Sequence, residues 1–471
     1  MKVDFKKLDR AFNPRSLVVV GASKQNEYQW LSSQLTFKGK LYSVAVNPQS
    51  IEDIKAMGVT NYTSLLDVPE PIDLVIVAVP RAIVPQVLDD CIRKNVAGVH
   101  MFTAGFSETE MAEGIEAEKK LKAQAEAANL QVIGPNCMGL YNAMVGIRQF
   151  PEQPVGMSGA LGVISQSGGH AINFSLDAYA QGLYINKSAS FGNGTLLDSA
   201  DFLEYFAQDP EIKAVAMYLE GVKDGRRFLK VLKEASLKKP VIIWKGGRTE
   251  EGSFAIASHT GSMAVPLAVW DAVIRQHGGI SVPTMDDLID TAKALIYMPP
   301  ITGIRVAVTG GSGGQSVNIA DAFAEVGLRL PALTEQSYDK LREFYSIVGG
   351  GFRNPVDTGN QNRFQMKRII DILAQDTNID NVVLLSLARF IMRNGQLDDF
   401  IEMLADARDS RKKPVMSIIA SSNNEDLKIA AEASQRFQDK GIPVFPSIER
   451  GARAMRNAYE YYRLKTLLMA S

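Results

Sequence analysis

"SLVVVGAS", Ser16–Ser23, decides the fold, because a β-branched run without polar alternation passes straight into a small-residue turn. Such a run reads as a strand buried on both faces, hence as part of a parallel sheet. The turn predicts a helix over 25–36. The same rhythm then repeats. "DLVIVAVP" (73–80) precedes a predicted helix over 82–94, "GVHMFTAGF" (98–106) precedes one over 109–128, and "LQVIGPN" (130–136) follows. A second series opens at "GALGVISQSGGHAINFSLDAYAQG" (159–182) and continues through "KAVAMYLEG" (213–221) and "PVIIWKGG" (240–247). A third opens at "IRVAVTGGSGGQSVNIADAFAEVG" (304–327) and runs through "NVVLLSLAR" (381–389), "PVMSIIA" (414–420) and "IPVFPS" (442–447). The three series predict an α/β chain of three doubly wound domains, 1–133, 134–299 and 300–471. "GPNCMGLYN" (134–142) marks the first junction and "MPPITG" (298–303) the second.

Composition narrows the class. The chain has 471 residues, 46% hydrophobic and 22% charged, which suits a globular protein with real cores. Lys plus Arg number 51 against 52 Asp plus Glu, for a net charge of -1, and no run of one sign stands out. Neither nucleic acid nor a membrane surface is therefore expected as a partner. The start carries no apolar stretch followed by a small-residue cleavage site, and no run reaches membrane-spanning length. Cys91 and Cys137 cannot build a disulfide framework and fit a reducing compartment. The expectation is a cytoplasmic protein.

Ligands of open parallel sheets sit outside the carboxyl ends of the strands, so the loops there are the places to search. Gly21-Ala22-Ser23 offers backbone N–H groups to an anion, although no glycine follows until Gly39 and the full G-x-G-x-x-G fingerprint is missing. Simple close packing explains the turn equally well. "SQSGGH" (165–170) combines hydroxyls with Gly168 and Gly169 at a predicted helix start, which suits a phosphate or a plain capped helix with Ser167 as N-cap. "TGGSGGQS" (309–316) allows an anion site or a structural turn. In "GPNCMG" (134–139), Asn136 could orient a carbonyl, and Cys137 reads as a buried thiol rather than a nucleophile. Glu220 and Asp357 each stand where a carboxylate can face a cleft or plain solvent.

His259, in "AIASHTGSMA" (255–264), is one of four histidines and has unusually small neighbours. A metal reading fails, since no second His or Cys stands at i+3 or i+4. A Ser/His/Asp hydrolase reading lacks a G-x-S-x-G elbow. What remains is a structural histidine, or a nucleophile that receives a phosphoryl group while a carboxylate fixes its tautomer.

Taken together, "SQSGG", "SFGNG" (190–194), "YLEG" (218–221), "KGGRTEEG" (245–252) and "SHTGS" (258–262) resemble the NDP-forming acyl-CoA synthetases. The chain looks like an α subunit of the ADP-forming acetyl-CoA synthetase type, related to succinyl-CoA synthetase α. "GPNCMG", "VTGGSGG" with "RNPVDTG", and "GIPVFPSIERGARAM" extend the likeness over nearly the whole chain.

The resemblance implies a Rossmann-like CoA-binding domain followed by two flavodoxin-like domains of the succinyl-CoA-synthetase type. It implies interconversion of acyl-CoA, phosphate and ADP with carboxylic acid, CoA and ATP, through an acyl phosphate and a phosphohistidine at His259. Glu220 would orient that histidine. Ser165, Ser167, Gly168 and Gly169 would hold the phosphoryl group, and Asn136 would lie near the thioester. Gly21, Ala22, Ser23, Asn47, Pro48, Val79, Pro80, Thr103 and Ala104 would line the CoA site. ATP or ADP with Mg would bind an ATP-grasp β subunit, in an α2β2 assembly, and this chain would hold no metal. Two departures stand out. The first loop reads "GASKQNEYQW" where the family adds glycines, and "MAVPLAVW" (263–270) replaces a small-residue stretch. They leave a non-catalytic CoA-binding or regulatory protein of the same fold as the alternative. A Rossmann dehydrogenase is disfavoured by the missing fingerprint.

Overall fold

The computed structural model describes residues 3–260, 266–311, 313–347, 351–358, 360–391, 396–421 and 423–470, with the backbone alone at 256–260, 313, 360, 361, 390 and 396. The chain divides into two compact units. The first comprises Met1–Tyr179 and Tyr184–Pro283; the second comprises Ala180–Leu183 and Thr284–Ser471.

The first unit holds two sheets. One contains β1 (Ser16–Val20), β2 (Lys40–Val44), β3 (Thr60–Tyr62), β4 (Leu74–Val77), β5 (Gly98–Met101) and β6 (Gln131–Ile133) in the order β3-β2-β1-β4-β5-β6. All its pairings are parallel. This is the Rossmann order, which reverses between β1 and β4. Every residue of β1, β4 and β5 is buried, as a strand covered on both faces requires.

The other sheet contains β7 (Gly139–Asn142), β8 (Leu161–Ser165), β9 (Ile185–Ser190), β10 (Ala214–Leu219), β11 (Val241–Lys245) and β12 (Ile280–Val282) in the order β12-β11-β10-β8-β9-β7. Its five parallel strands follow the flavodoxin order, and β7 joins the edge antiparallel to β9.

In the second unit β13 (Val306–Thr309), β14 (Asn381–Leu387), β15 (Val415–Ala420) and β16 (Val444–Phe445) form a parallel sheet in chain order. Isolated parallel bridges join it from Arg305 to Arg329, where a flavodoxin-ordered sheet has its second strand, and from Thr309 to Val356. Among the described residues no helix is long and apolar enough to cross a membrane.

The predicted helices at 82–94 and 109–128 are present as Val84–Arg93, entered by a 3-10 turn at Arg81–Ile83, and Ala112–Ala127. The helix predicted over 25–36 is not. A 3-10 turn at Lys24–Asn26 and a short helix at Gln29–Ser32 flank Glu27 and Tyr28, which take left-handed conformations at φ 50° and 54°. The cause is local. Asn26 Oδ1 accepts from the Ser23 N–H at 3.1 Å while its Nδ2 donates to Gly21 O at 3.0 Å. These bonds offer the backbone an alternative to helix. Tyr28 donates its hydroxyl to Asp53 Oδ2 at 2.5 Å and holds the bent chain against the next helix.

Candidate functional site

The reversal between β1 and β4 opens a cleft of about 520 Å³. Gly21, Ala22, Ser23, Asn47, Val79, Pro80, Thr103 and Ala104 all line it. Gly21 has φ +95°, and a Cβ there would stand 2.5 Å from Ala78 O, so only glycine lets the loop close over β4. Thr103 donates its hydroxyl to Val79 O at 2.7 Å, tying two of the lining loops together. Pro48 is not among the lining residues. It opens the helix Pro48–Ala56, whose N-cap Asn47 accepts from the Ser50 N–H at 3.1 Å.

Sequence reasoning did not single out Trp30 or Arg81 among the members of this cleft. Trp30 and Phe102 line one side with ring centroids 4.0 Å apart. Arg81 is the one charged residue among the lining side chains, and its guanidinium donates to Gly105 O and lies 3.6 Å from exposed Glu113. A strand-end arginine beside an anion-ready turn was the available signal.

At the carboxyl ends of β8, β10 and β11 a second set of side chains meets. Ser165 is buried and donates its hydroxyl to Ser167 O at 2.6 Å, so it shapes the loop from beneath. Ser167 Oγ accepts from the His170 N–H at 3.4 Å at the start of the helix Gly168–Ala180. A Cβ on Gly168 would collide with Met138 Cγ, whereas Gly169 faces open space. The Gln166 amide oxygen accepts from the N–H groups of Glu220 (2.9 Å) and Gly221 (3.1 Å) and so fixes the turn after β10. Tyr218 donates its hydroxyl to Glu220 Oε1 at 3.4 Å, and burial pushes that phenol up. His170 packs on Tyr218 and Trp244 at centroid distances of 4.3 and 4.8 Å. Burial lowers its pKa, so its imidazole is neutral near pH 7.

Asn136 stands in the loop after β6. It follows a cis Gly134–Pro135 bond and has φ 56°. Its N–H donates to Thr103 O at 3.0 Å and its Nδ2 to Asn193 Oδ1 at 3.3 Å. Asn193 Nδ2 in turn donates to Glu108 Oε2 at 2.6 Å and Glu118 Oε2 at 3.0 Å. Burial pushes the Glu118 carboxyl up, but hydrogen bonds from Ser107, Thr195 and Asn193 outweigh it and hold the group below its ordinary value. Cys137 is buried, its thiol pushed up to about 12, which makes it a poor nucleophile.

The backbone of His259 belongs to the helix Glu250–Thr260, which approaches the Ser107–Thr109 turn. The His259 side chain lies outside the described residues. Asp357 is buried, and its carbonyl accepts the Tyr345 hydroxyl.

Two family models match this architecture, a CoA binding domain over residues 15–143 and a succinyl-CoA ligase like flavodoxin domain over 158–295. The first unit is thus an α/β assembly of the CoA-binding, succinyl-CoA-ligase class. The chain is 33% identical to the α subunit of ADP-forming acetate–CoA ligase II from Pyrococcus furiosus, over 95% of this chain and 96% of that one. It is 34% identical to ADP-forming acetate–CoA ligase I from Archaeoglobus fulgidus, over 80% of this chain but 54% of that longer one. A solved structure of a dinucleotide forming acetyl-coenzyme A synthetase 1 from Ca. Korarchaeum cryptofilum, in complex with phosphate and ADP, matches with a TM-score of 0.85 at 30% identity over 98% of both chains. The chain belongs to the family of ADP-forming acetate–CoA ligases, among its α-subunit chains.

Proposed function

We propose that this chain is the CoA-binding, phosphoryl-carrying α subunit of an ADP-forming acyl-CoA synthetase. The reading rests on one observation above the rest. A Rossmann-ordered cleft and the strand-end cluster of Ser167, Glu220 and Gln166 stand in one compact unit. Gly21, Ala22, Ser23, Asn47, Val79, Pro80, Thr103 and Ala104 hold CoA, with Arg81 facing its phosphates and the Trp30–Phe102 pair its apolar parts.

Inorganic phosphate attacks the acyl carbon, the C–S bond breaks and the CoA thiolate leaves, giving an acyl phosphate. Asn136 steadies the thioester. The His259 imidazole then attacks phosphorus and releases the carboxylate, while Glu220 on the other ring nitrogen keeps the attacking lone pair free. The N-terminus of the helix Gly168–Ala180, with Ser167, Gly168 and Gly169, takes the phosphoryl charge. Finally an ADP oxygen attacks the phosphohistidine and the N–P bond breaks. ADP and Mg sit on an ATP-grasp β subunit in an α2β2 assembly. The division into functional domains at 1–133, 134–299 and 300–471 and a cytoplasmic setting belong to the same reading.

The Asn26-locked turn after β1 favours a second reading, a CoA-binding protein without catalysis, because it removes the helix whose N-terminus would face a pyrophosphate. Incubating the chain with its partner and γ-labelled ATP separates the two. Acid-labile, base-stable label on this chain, abolished in His259→Ala and reduced at least a hundredfold in rate in Glu220→Gln at unchanged melting temperature, is the expected result. An active partner that leaves the chain unlabelled overturns the catalytic reading.

A further inference from the structure

Lys245 ends β11 in register with Leu219, so its side chain emerges beside the Glu220 turn. It is 6% exposed. Its Nζ donates to Glu220 O at 2.7 Å and to Gly246 O, and it lies 5.5 Å from the centre of the Trp270 ring. Among the described residues no carboxylate forms an ion pair with it. Burial pulls its pKa down, and the Glu220 charge acts in the opposite sense. Two carbonyls could be served by a neutral donor, whereas taking an ammonium out of water carries a heavy desolvation penalty. A buried ammonium whose hydrogen-bond partners are two carbonyls, with the Glu220 charge nearby, is therefore matched to a further negative charge that arrives later.

That charge is large. A phosphoryl group on an imidazole carries close to two negative charges, and the orienting Glu220 carboxylate adds a third. The helix N-terminus at Gly168 supplies only about half a positive charge. We propose that Lys245 is a positioning residue of the phosphoryl-transfer site. Its ammonium pins the main chain at Glu220 and supplies the counter-charge that lets a phosphorylated imidazole and a carboxylate occupy one pocket. The inference rests on the assignment of His259 and Glu220 above. Gly246 serves the same arrangement, since a Cβ there would stand 2.6 Å from Tyr218 Oη and 3.3 Å from Glu220 Cγ, crowding the carboxylate Lys245 supports.

The test compares the full-length chain with Lys245→Gln, which keeps a donor to the two carbonyls and removes the charge, and with Lys245→Arg, which keeps the charge. Each is assayed with its nucleotide-binding partner. Lys245→Gln is expected to lower the phosphohistidine fraction at equilibrium at least tenfold. It should raise the KM for inorganic phosphate by a similar factor and leave the KM for CoA within twofold. Lys245→Arg should recover most of the phosphorylated fraction. Loss of folded protein lowers kcat but moves neither KM, so the split between the two KM values decides even for a destabilised variant. Wild-type label and phosphate KM in Lys245→Gln overturn the inference alone. A wild-type chain that takes no label at His259 overturns it together with the function it rests on.

Discussion

At the scale of single residues, two histidines show how position sets chemistry. His170 stands at a helix start among the rings of Tyr218 and Trp244, while His100 lies in the middle of β5, walled in by Trp30 at a centroid distance of 6.3 Å and by Gly139. Both His100 ring nitrogens are buried without a hydrogen-bond partner among the described residues, and burial lowers its pKa from 6.5 to about 3. The folded pKa lies below the unfolded one, so the neutral ring contributes its full stability above pH 6.5. That contribution is lost as the pH falls from there toward the folded value, because the unfolded chain takes the proton first. At full slope the loss is about 1.4 kcal/mol per pH unit. Urea unfolding between pH 6.5 and 4.5 should therefore fall less steeply in His100→Leu than in wild type, by up to one proton's worth of slope. Identical slopes would remove His100 from this role. Neither histidine's setting was legible in the sequence, where "GVHMF" and "SGGHA" reveal the strand and the helix start but not the rings packed around them. Glu220 was legible for a simpler reason. A residue directly after a buried apolar strand stands at the carboxyl end of the sheet.

The elements obey the same division. Strands such as Leu17–Val20 and Val241–Ile243 could be read because burial on both faces leaves an uninterrupted apolar run. The break after β1 could not, because it depends on one amide, Asn26, closing bonds to both Gly21 and Ser23. Polar side chains that cap their own loop leave no periodic mark. The turn still demands a glycine at its first position, with φ +95° and the Ala78 carbonyl 2.5 Å from any added Cβ. Gly21→Ala should cost about 1–3 kcal/mol of backbone strain and weaken CoA binding at least tenfold in a calorimetric titration. Parental affinity in that variant would mean that CoA binds elsewhere. The cleft's other determinants, Trp30 and Arg81, come from a bent segment and from a turn after β4, and only the fold brings them to one place.

On the scale of the whole molecule, each compact unit has its own hydrophobic interior. The clusters around Leu17, Phe206 and Met217, and around Val75 and Val99, lie in the first unit; that around Ile370 and Leu404 lies in the second. Ala180–Leu183 belongs with the second unit, where Gln181 O accepts from Gln438 and Gly182 O from the Tyr297 hydroxyl. No feature of the sequence around 180 announces that assignment, since it rests on partners more than a hundred residues away. Separate interiors predict two transitions in scanning calorimetry. Saturating CoA should raise only the transition of the first unit, by about 2.7 kcal/mol at a hundred times Kd. A single transition whose calorimetric and van't Hoff enthalpies agree would contradict the prediction.

The placement of the three tryptophans has an optical consequence. Trp30 lines the Rossmann cleft, Trp244 packs against His170, and Trp270 lies beneath the Lys245 ammonium. Every indole in the chain is therefore a neighbour of one site or the other. Intrinsic emission becomes a two-channel signal, with Trp30 reporting occupancy of the cleft and the other pair reporting charge at the strand-end cluster. Replacing one indole at a time would let the order of the two events be timed in a single stopped-flow trace without any added dye.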